Sequence, residues 1–193
     1  MTPRADHAVT APTLRRALIS GAQRVIAGRE RLNRINVFPV ADGDTGNNLA
    51  FTLGGLLNGA LRQRSGHLGA LLQRVSEEAI DGARGNSGAI LAQFLHGVAE
   101  HARGHPVLEA GDLAAAVGHG ARQARAALSD PVEGTILSVI DRFAEALAVA
   151  GDAAHATPRL AFAHALGEAR TALARTPEQM PLLRMAGVVD AGA

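Results

Sequence analysis

Apolar residues return every three or four positions along almost the whole of this chain, and that period belongs to the α-helix. Alternation of Val, Ile and aromatic residues with period two, the mark of a half-buried strand, is nearly absent, while Ala and Leu dominate. The pattern predicts an all-α fold. Residues 12–28 carry Leu14, Leu18, Ala22, Val25 and Ile26 on one stripe and Arg15, Arg16 and Arg24 on the other face, with Pro12 in the first turn. Further stripes run through Leu49, Leu53, Leu56, Leu57 and Leu61, through Leu68, Leu71, Leu72, Val75, Ala79 and Ile80, and through Ile90, Leu91, Phe94, Leu95 and Val98. Helices near 111–128, 134–149 and 158–174 follow, separated by breakers at Gly104 to Pro106, Asp130-Pro131 and Thr157-Pro158. Short connections between seven helices make neighbours antiparallel, so the expected architecture is an up-and-down bundle or closed helical barrel. It forms a single domain over residues 1–193, with residues 1–11 read as a flexible N-terminal tail.

Composition narrows the chemistry. At 193 residues and 47% hydrophobic content the chain can bury a core of its own. It contains no Cys, which excludes disulfides, zinc ribbons and thiol nucleophiles. All 19 basic residues are Arg, so Schiff-base chemistry and a Walker-A lysine are excluded as well. A net charge of +1 and 3% aromatic residues give neither a basic field nor a stacking platform for nucleic acid. The polar start lacks the apolar core of a secretory signal, and no stretch reaches the roughly 18 apolar residues of a membrane span. A cytoplasmic protein without membrane insertion is expected.

Gly, Asp, Asn, Ser and Thr concentrate in segments 33–48, 81–89, 129–135 and 186–193, where polar backbone can approach a ligand. In Asp42-Gly43-Asp44-Thr45-Gly46-Asn47-Asn48, two carboxylates stand two residues apart on a glycine-rich turn and can converge on a hard cation. The plainer alternative is a polar turn that caps the next helix through Asp44, Thr45 or Asn47. An EF-hand loop is excluded, because Asn47 and Leu53 stand where calcium needs Gly and a bidentate Glu. A helix starting near Gly46 would aim its free N–H groups at whatever the carboxylates hold, an arrangement suited to Mg-phosphate. Gly85-Asn86-Ser87-Gly88 offers a second anion cradle or a simple N-cap, and Pro131 to Thr135 opens another helix, with Glu133 a cap or dipole partner. His101 and His105 have i, i+4 spacing, but Gly104 and Pro106 break the helix there and they read as solvated. No Ser sits in a nucleophile elbow.

Taken together, LNRINVFPVADGDTGNNL (32–49), DGARGNSGAILAQFLHG (81–97), PVEGTILSVI (131–140) and PLLRMAGVVDAGA (181–193) resemble the nucleotide-binding domain shared by dihydroxyacetone kinase L subunits and fatty acid kinases. The resemblance covers residues 14 to 193 and implies an all-α barrel of about eight antiparallel helices that binds ATP or ADP through two Mg²⁺ ions. By that likeness Asp42 and Asp44 are the catalytic metal carboxylates. Thr45, Gly46, Asn47 and Asn48 match the phosphate-binding turn, and Asn86 and Ser87 match a second phosphate loop. Thr135 and Ile136 match the nucleotide-pocket segment, while Asp190, Ala191 and Gly192 match a terminal nucleotide contact. The dihydroxyacetone kinase branch carries a third metal aspartate before its DGD. Val37 occupies that spacing here, so the neighbouring Asn36 is nominated as a metal ligand.

NVFPV, GARGNSG and PVEGT resemble the fatty acid kinase branch, although Ala41 replaces its usual Pro and Asn47-Asn48-Leu49 its Thr-Asn-Met. The resemblance therefore implies ATP-dependent phosphorylation of an acyl carboxylate presented on a carrier protein. Two readings compete with it. One is a dihydroxyacetone kinase L subunit working with a separate substrate-binding subunit, and the other is a non-catalytic nucleotide-binding or interaction module. A homodimer is compatible with either. Family chains continue past the DAG ending into another helix, so a bare kinase domain lacking that final helix is expected.

Overall fold

The computed structural model describes residues 7–193, and among them the chain is helical almost throughout. The long helices are α1 (Ala11–Ala27), α3 (Thr45–Arg62), α4 (Leu68–Asp81), α5 (Gly85–Ala102), α6 (Ala110–Ala126), α7 (Ile136–Gly151) and α8 (Pro158–Gln179). These are the seven helices that the apolar stripes predict. Two single-turn helices add to them, α2 (Arg29–Arg34) and α9 (Pro181–Ala186), each too short to carry a period of its own. From α3 onward each long helix packs chiefly on its neighbours in sequence, which with short connections gives the up-and-down arrangement.

Two further differences from the sequence reading stand out. Of the expected tail at 1–11, residues 1–6 lie outside the described residues, but Val9–Thr10 form strand β1, which pairs antiparallel with β2 (Val107–Leu108). Ala8 and Ala11 are buried beside it, so main-chain pairing and alanine burial tie this segment to the body of the fold. Helix α8 also runs past the predicted 174 and through Pro177 to Gln179.

The core falls into three clusters. The largest joins α1, α3, α4 and α5 through Ala22, Leu53, Leu56, Leu71, Leu72, Val75 and Leu95; a second joins α6, α7 and α8 through Val117, Leu147 and Ala165. A third, of Ile90, Ala124, Ile136 and Leu137, lies under the start of α7, and Phe94 packs against all three. Close approach of α5 and α6 depends on Gly97 and Gly120, since a methyl at Gly97 would come within 2.8 Å of the Gly120 Cα. Among the described residues no helix is long and apolar enough to cross a membrane.

Leu71 is fully buried, so Leu71→Ala should cost about 2–5 kcal/mol by lost transfer energy and cavity formation. Val149 is 74% exposed, and Val149→Ala should change the urea midpoint by little. Equal midpoints for the two variants would contradict the placement of the first cluster.

Candidate functional site

Three helices begin around one depression. The start of α3, with Asp44, Thr45 and Asn48, and the start of α5, with Gly85, Asn86 and Ser87, line a cleft of about 540 Å³ together with Asn36, Phe38, Pro39, Val40 and Asp42. Phe38, Pro39, Asn86 and Ser87 also line an adjoining cleft of about 710 Å³. Its other walls are Ile90, Leu128, Asp130, Val132, Asp190 and, from the start of α7, Thr135 and Ile136. The first compartment is about half polar, and the second is mostly apolar.

The carboxylates of the DGD turn are placed by their neighbours. Gly43 takes φ +67, a left-handed conformation costly for a residue with a Cβ, and lets the turn reverse between the two aspartates. Buried Asn36 donates from Nδ2 to the Val40 carbonyl at 2.9 Å and to Asp42 Oδ1 at 2.9 Å, and its Oδ1 accepts from the Thr45 hydroxyl. Asp44 occupies the N-cap position of α3, yet its side chain makes no cap bond. That role falls to Asn33 of α2, whose Oδ1 accepts from the Asn47 N–H at 3.2 Å. The capping alternative for Asp44 is therefore not the arrangement adopted, and its carboxylate stays available to the cleft.

Helix α5 also starts without a side-chain cap. Its opening is tied to α3 by the fully buried Thr52, whose hydroxyl donates to the Asn48 carbonyl at 3.1 Å and accepts from the Arg84 N–H at 3.2 Å. At the start of α7, Thr135 does cap: its Oγ1 accepts from Leu137 N–H at 3.3 Å and donates to the Val132 carbonyl at 2.7 Å. Glu133 bonds Ser138 and Arg125, and the Ser138 hydroxyl with Arg125 holds its carboxyl below the ordinary value against the opposing effect of burial.

The chain end returns to this place. Asp190 is only 7% exposed, and its carboxylate accepts backbone N–H groups of Ile136, Gly192 and Ala193. Burial dominates, however, and pushes this carboxyl up to about 6. Gly192 lies so close to Ser87 that a Cβ there would collide with the serine hydroxyl.

Of the residues singled out from sequence, Asn36, Asp42, Asp44, Thr45, Asn48, Asn86 and Ser87 meet in the first compartment, and Thr135, Ile136 and Asp190 in the second. Gly46, Asn47, Ala191 and Gly192 do not line either: Gly46 is packed under the Arg29 carbonyl, Asn47 is exposed, and Ala191 and Gly192 are buried behind Asp190. The wall residues Phe38, Pro39, Ile90 and Val132 fall inside the quoted motifs without having been singled out for the site, and Leu128 carries no signal that separates it from core apolar positions. Thr52 reads from sequence as one more helical residue.

The DAK2 domain family model matches residues 39–193. The chain belongs to the DAK2 domain family. It is 34% identical to the protein YloV of Bacillus subtilis over 181 residues, which cover 93% of this chain and 32% of YloV. It is likewise 34% identical to the uncharacterized protein SSP1546 of Staphylococcus saprophyticus and 32% identical to SAUSA300_1119 of Staphylococcus aureus, each over 91% of this chain and 32% of the relative. The chain thus spans about a third of the length of these relatives. Membership makes it a kinase-related nucleotide-binding module of the dihydroxyacetone kinase L-subunit type, as the four motifs imply, and domains of this type bind ATP or ADP.

The position of Asp190 has a measurable consequence. Its native value of about 6 lies above the roughly 3.9 of an aspartate in an unfolded chain, so the native state holds this proton more tightly. The group therefore favours folding most fully below about pH 4, and that contribution is lost as pH rises through about 6. In urea unfolding, the wild type should gain stability relative to Asp190→Asn by about 2 kcal/mol between pH 7.5 and 4.5. A difference between the two proteins that does not change with pH would contradict the burial of this carboxyl.

Proposed function

We propose that this domain binds ATP and ADP with Mg²⁺ and serves as the phosphoryl-donor half of a cytoplasmic fatty-acid-kinase-like enzyme, whose acceptor is an acyl carboxylate presented by a separate carrier protein. One observation supports this most: Asp42 and Asp44, neither used for capping, share a half-polar cleft with the uncapped start of α5, and that cleft adjoins a mostly apolar one. A nucleotide has the same division, a polyanionic tail and a flat apolar base.

The donor set suits magnesium. Among the described residues no group of three or more His, Cys, Asp or Glu side chains is gathered to hold a metal. A site of two carboxylates, completed by phosphate oxygens and water, is the usual manner of Mg²⁺ binding beside a nucleotide. Asp42 and Asp44 are the residues that would hold the ions, and the chemistry supplied there is neutralisation of phosphate charge during transfer. Asn36 acts on this reading as a brace, since its amide spans Asp42 and Thr45 and its oxygen is already engaged. The uncapped start of α5 would offer its N–H groups to the phosphates, with Asn48, Asn86 and Ser87 adding side-chain donors, while the Thr45 hydroxyl is spent on Asn36. Ile90, Leu128, Val132 and Ile136 enclose the base, with Thr135 and Asp190 fixing that wall.

Phosphoryl transfer of this kind rests on positioning and charge stabilisation, and a carboxylate acceptor has no proton for a general base to remove. The resemblance of NVFPV, GARGNSG and PVEGT to the fatty acid kinase branch favours that acceptor over dihydroxyacetone.

Calorimetry should give Mg-dependent ADP binding to the wild type, and Asp42→Ala or Asp44→Ala should weaken it at least a hundredfold without loss of helical circular dichroism. ADP affinity unchanged in both variants would refute the site. For the acceptor, phosphate should pass from ATP to a fatty acid when a fatty-acid carrier protein is supplied with the full-length protein. Transfer to dihydroxyacetone alone would redirect the assignment to the other branch.

A further inference from the structure

Thr176 is fully buried on α8, one residue before Pro177. Proline has no N–H, so the carbonyl of Leu173 loses the partner that an uninterrupted helix would supply four residues later. The Thr176 hydroxyl takes that place, donating to the Leu173 carbonyl at 2.9 Å. The same oxygen accepts from the Asp190 N–H at 3.1 Å, fourteen residues further along the chain. Both its hydrogen and a lone pair are thereby used. The Thr176 carbonyl ends the helix by accepting from Met180 N–H at 3.0 Å, and it also abuts Gly134, where a Cβ would stand 3.1 Å away. One turn of α8 thus touches both sides of the apolar cleft, the Gly134-Thr135 loop and the returning chain at Asp190. Apart from α9, the segment after Met180 is irregular, and within it Asp190 is held from behind by this threonine and in front by the first amide of α7.

We propose that Thr176 is a positioning residue for nucleotide binding: seated at the break that Pro177 makes in α8, its hydroxyl latches the main chain at Asp190 and so fixes the wall against which the nucleoside rests. This rests on the nucleotide reading of the cleft and adds to it a residue remote from the phosphates. Valine keeps the shape of threonine but orphans both the Leu173 carbonyl and the Asp190 N–H, whereas serine preserves both bonds.

The test compares wild type, Thr176→Val and Thr176→Ser by ADP calorimetry in Mg²⁺ well below their melting temperatures, with amide hydrogen exchange on each. Thr176→Val should weaken ADP at least tenfold and speed exchange at Asp190, Gly192 and Ala193, while Thr176→Ser stays within about twofold of wild type in both. Wild-type ADP affinity in Thr176→Val overturns the latch and leaves the nucleotide site standing, whereas a wild type that does not bind ADP overturns the site itself. Should Thr176→Val fail to fold, the wild type decides alone: an Asp190 amide that exchanges as fast as an unbonded one overturns the latch, and strong protection together with the Thr176→Ser result supports it.

Discussion

An up-and-down bundle with short connections has an unavoidable electrostatic consequence: alternate helices begin at the same end. Here α3, α5 and α7 all open onto the paired clefts, so several sets of free N–H groups and three dipole ends of one sign converge there. Isolated, such a concentration of donors would be left to water. The fold answers part of it internally, with Asn33 on Asn47, Thr135 on Leu137 and Asp190 on Ile136, and leaves the start of α5 without a side-chain cap. The carboxylates of the DGD turn lie opposite that opening. The gathering of helix starts at this end is thus a property of the topology before it is a property of any one side chain.

The supports of the site come from residues that line neither of the two clefts. Thr52 binds the starts of α3 and α5 into one unit, and Asn33 fixes the turn that delivers Asp44. Arg125 holds both Asp141 and Glu133, and the Gly134 N–H bonds Ser138, so the loop before α7 is braced from its outer side. Phe94 links the core beneath α3 and α4 with that beneath α7 and α8, which couples the placement of the two compartments.

Much of this was legible from the residues. A stripe of leucines states a helix and its buried face, because period and burial are the same physical fact; the long helices were accordingly foreseen. The turns α2 and α9 and the β1–β2 pair were not, since two to six residues hold no period, and the fixing of Val9–Thr10 depends on a partner nearly a hundred residues away. Asp42 and Asp44 were legible as cleft residues because two carboxylates flank a glycine in a polar segment between apolar helices. Asn36 was read as a ligand, and in the structure its amide spans Asp42 and Thr45. Such a role depends on where one side-chain oxygen points, which spacing does not encode. The helix read as ending near 174 continues through Pro177, where the Thr176 hydroxyl takes the place of the lost amide, a compensation that the sequence does not reveal.

The residues lining the two clefts include no Arg and no His, and the chain as a whole has no Lys. Whatever positive potential the cleft presents is consequently built from peptide groups, which neither titrate nor accept acyl or methyl groups. Alkali cannot discharge it, and enzymes or reagents that modify lysine have nothing there to act upon. Control over such a site has to come from moving the helices, from its acids or from the metal they would hold, never from neutralising a basic side chain.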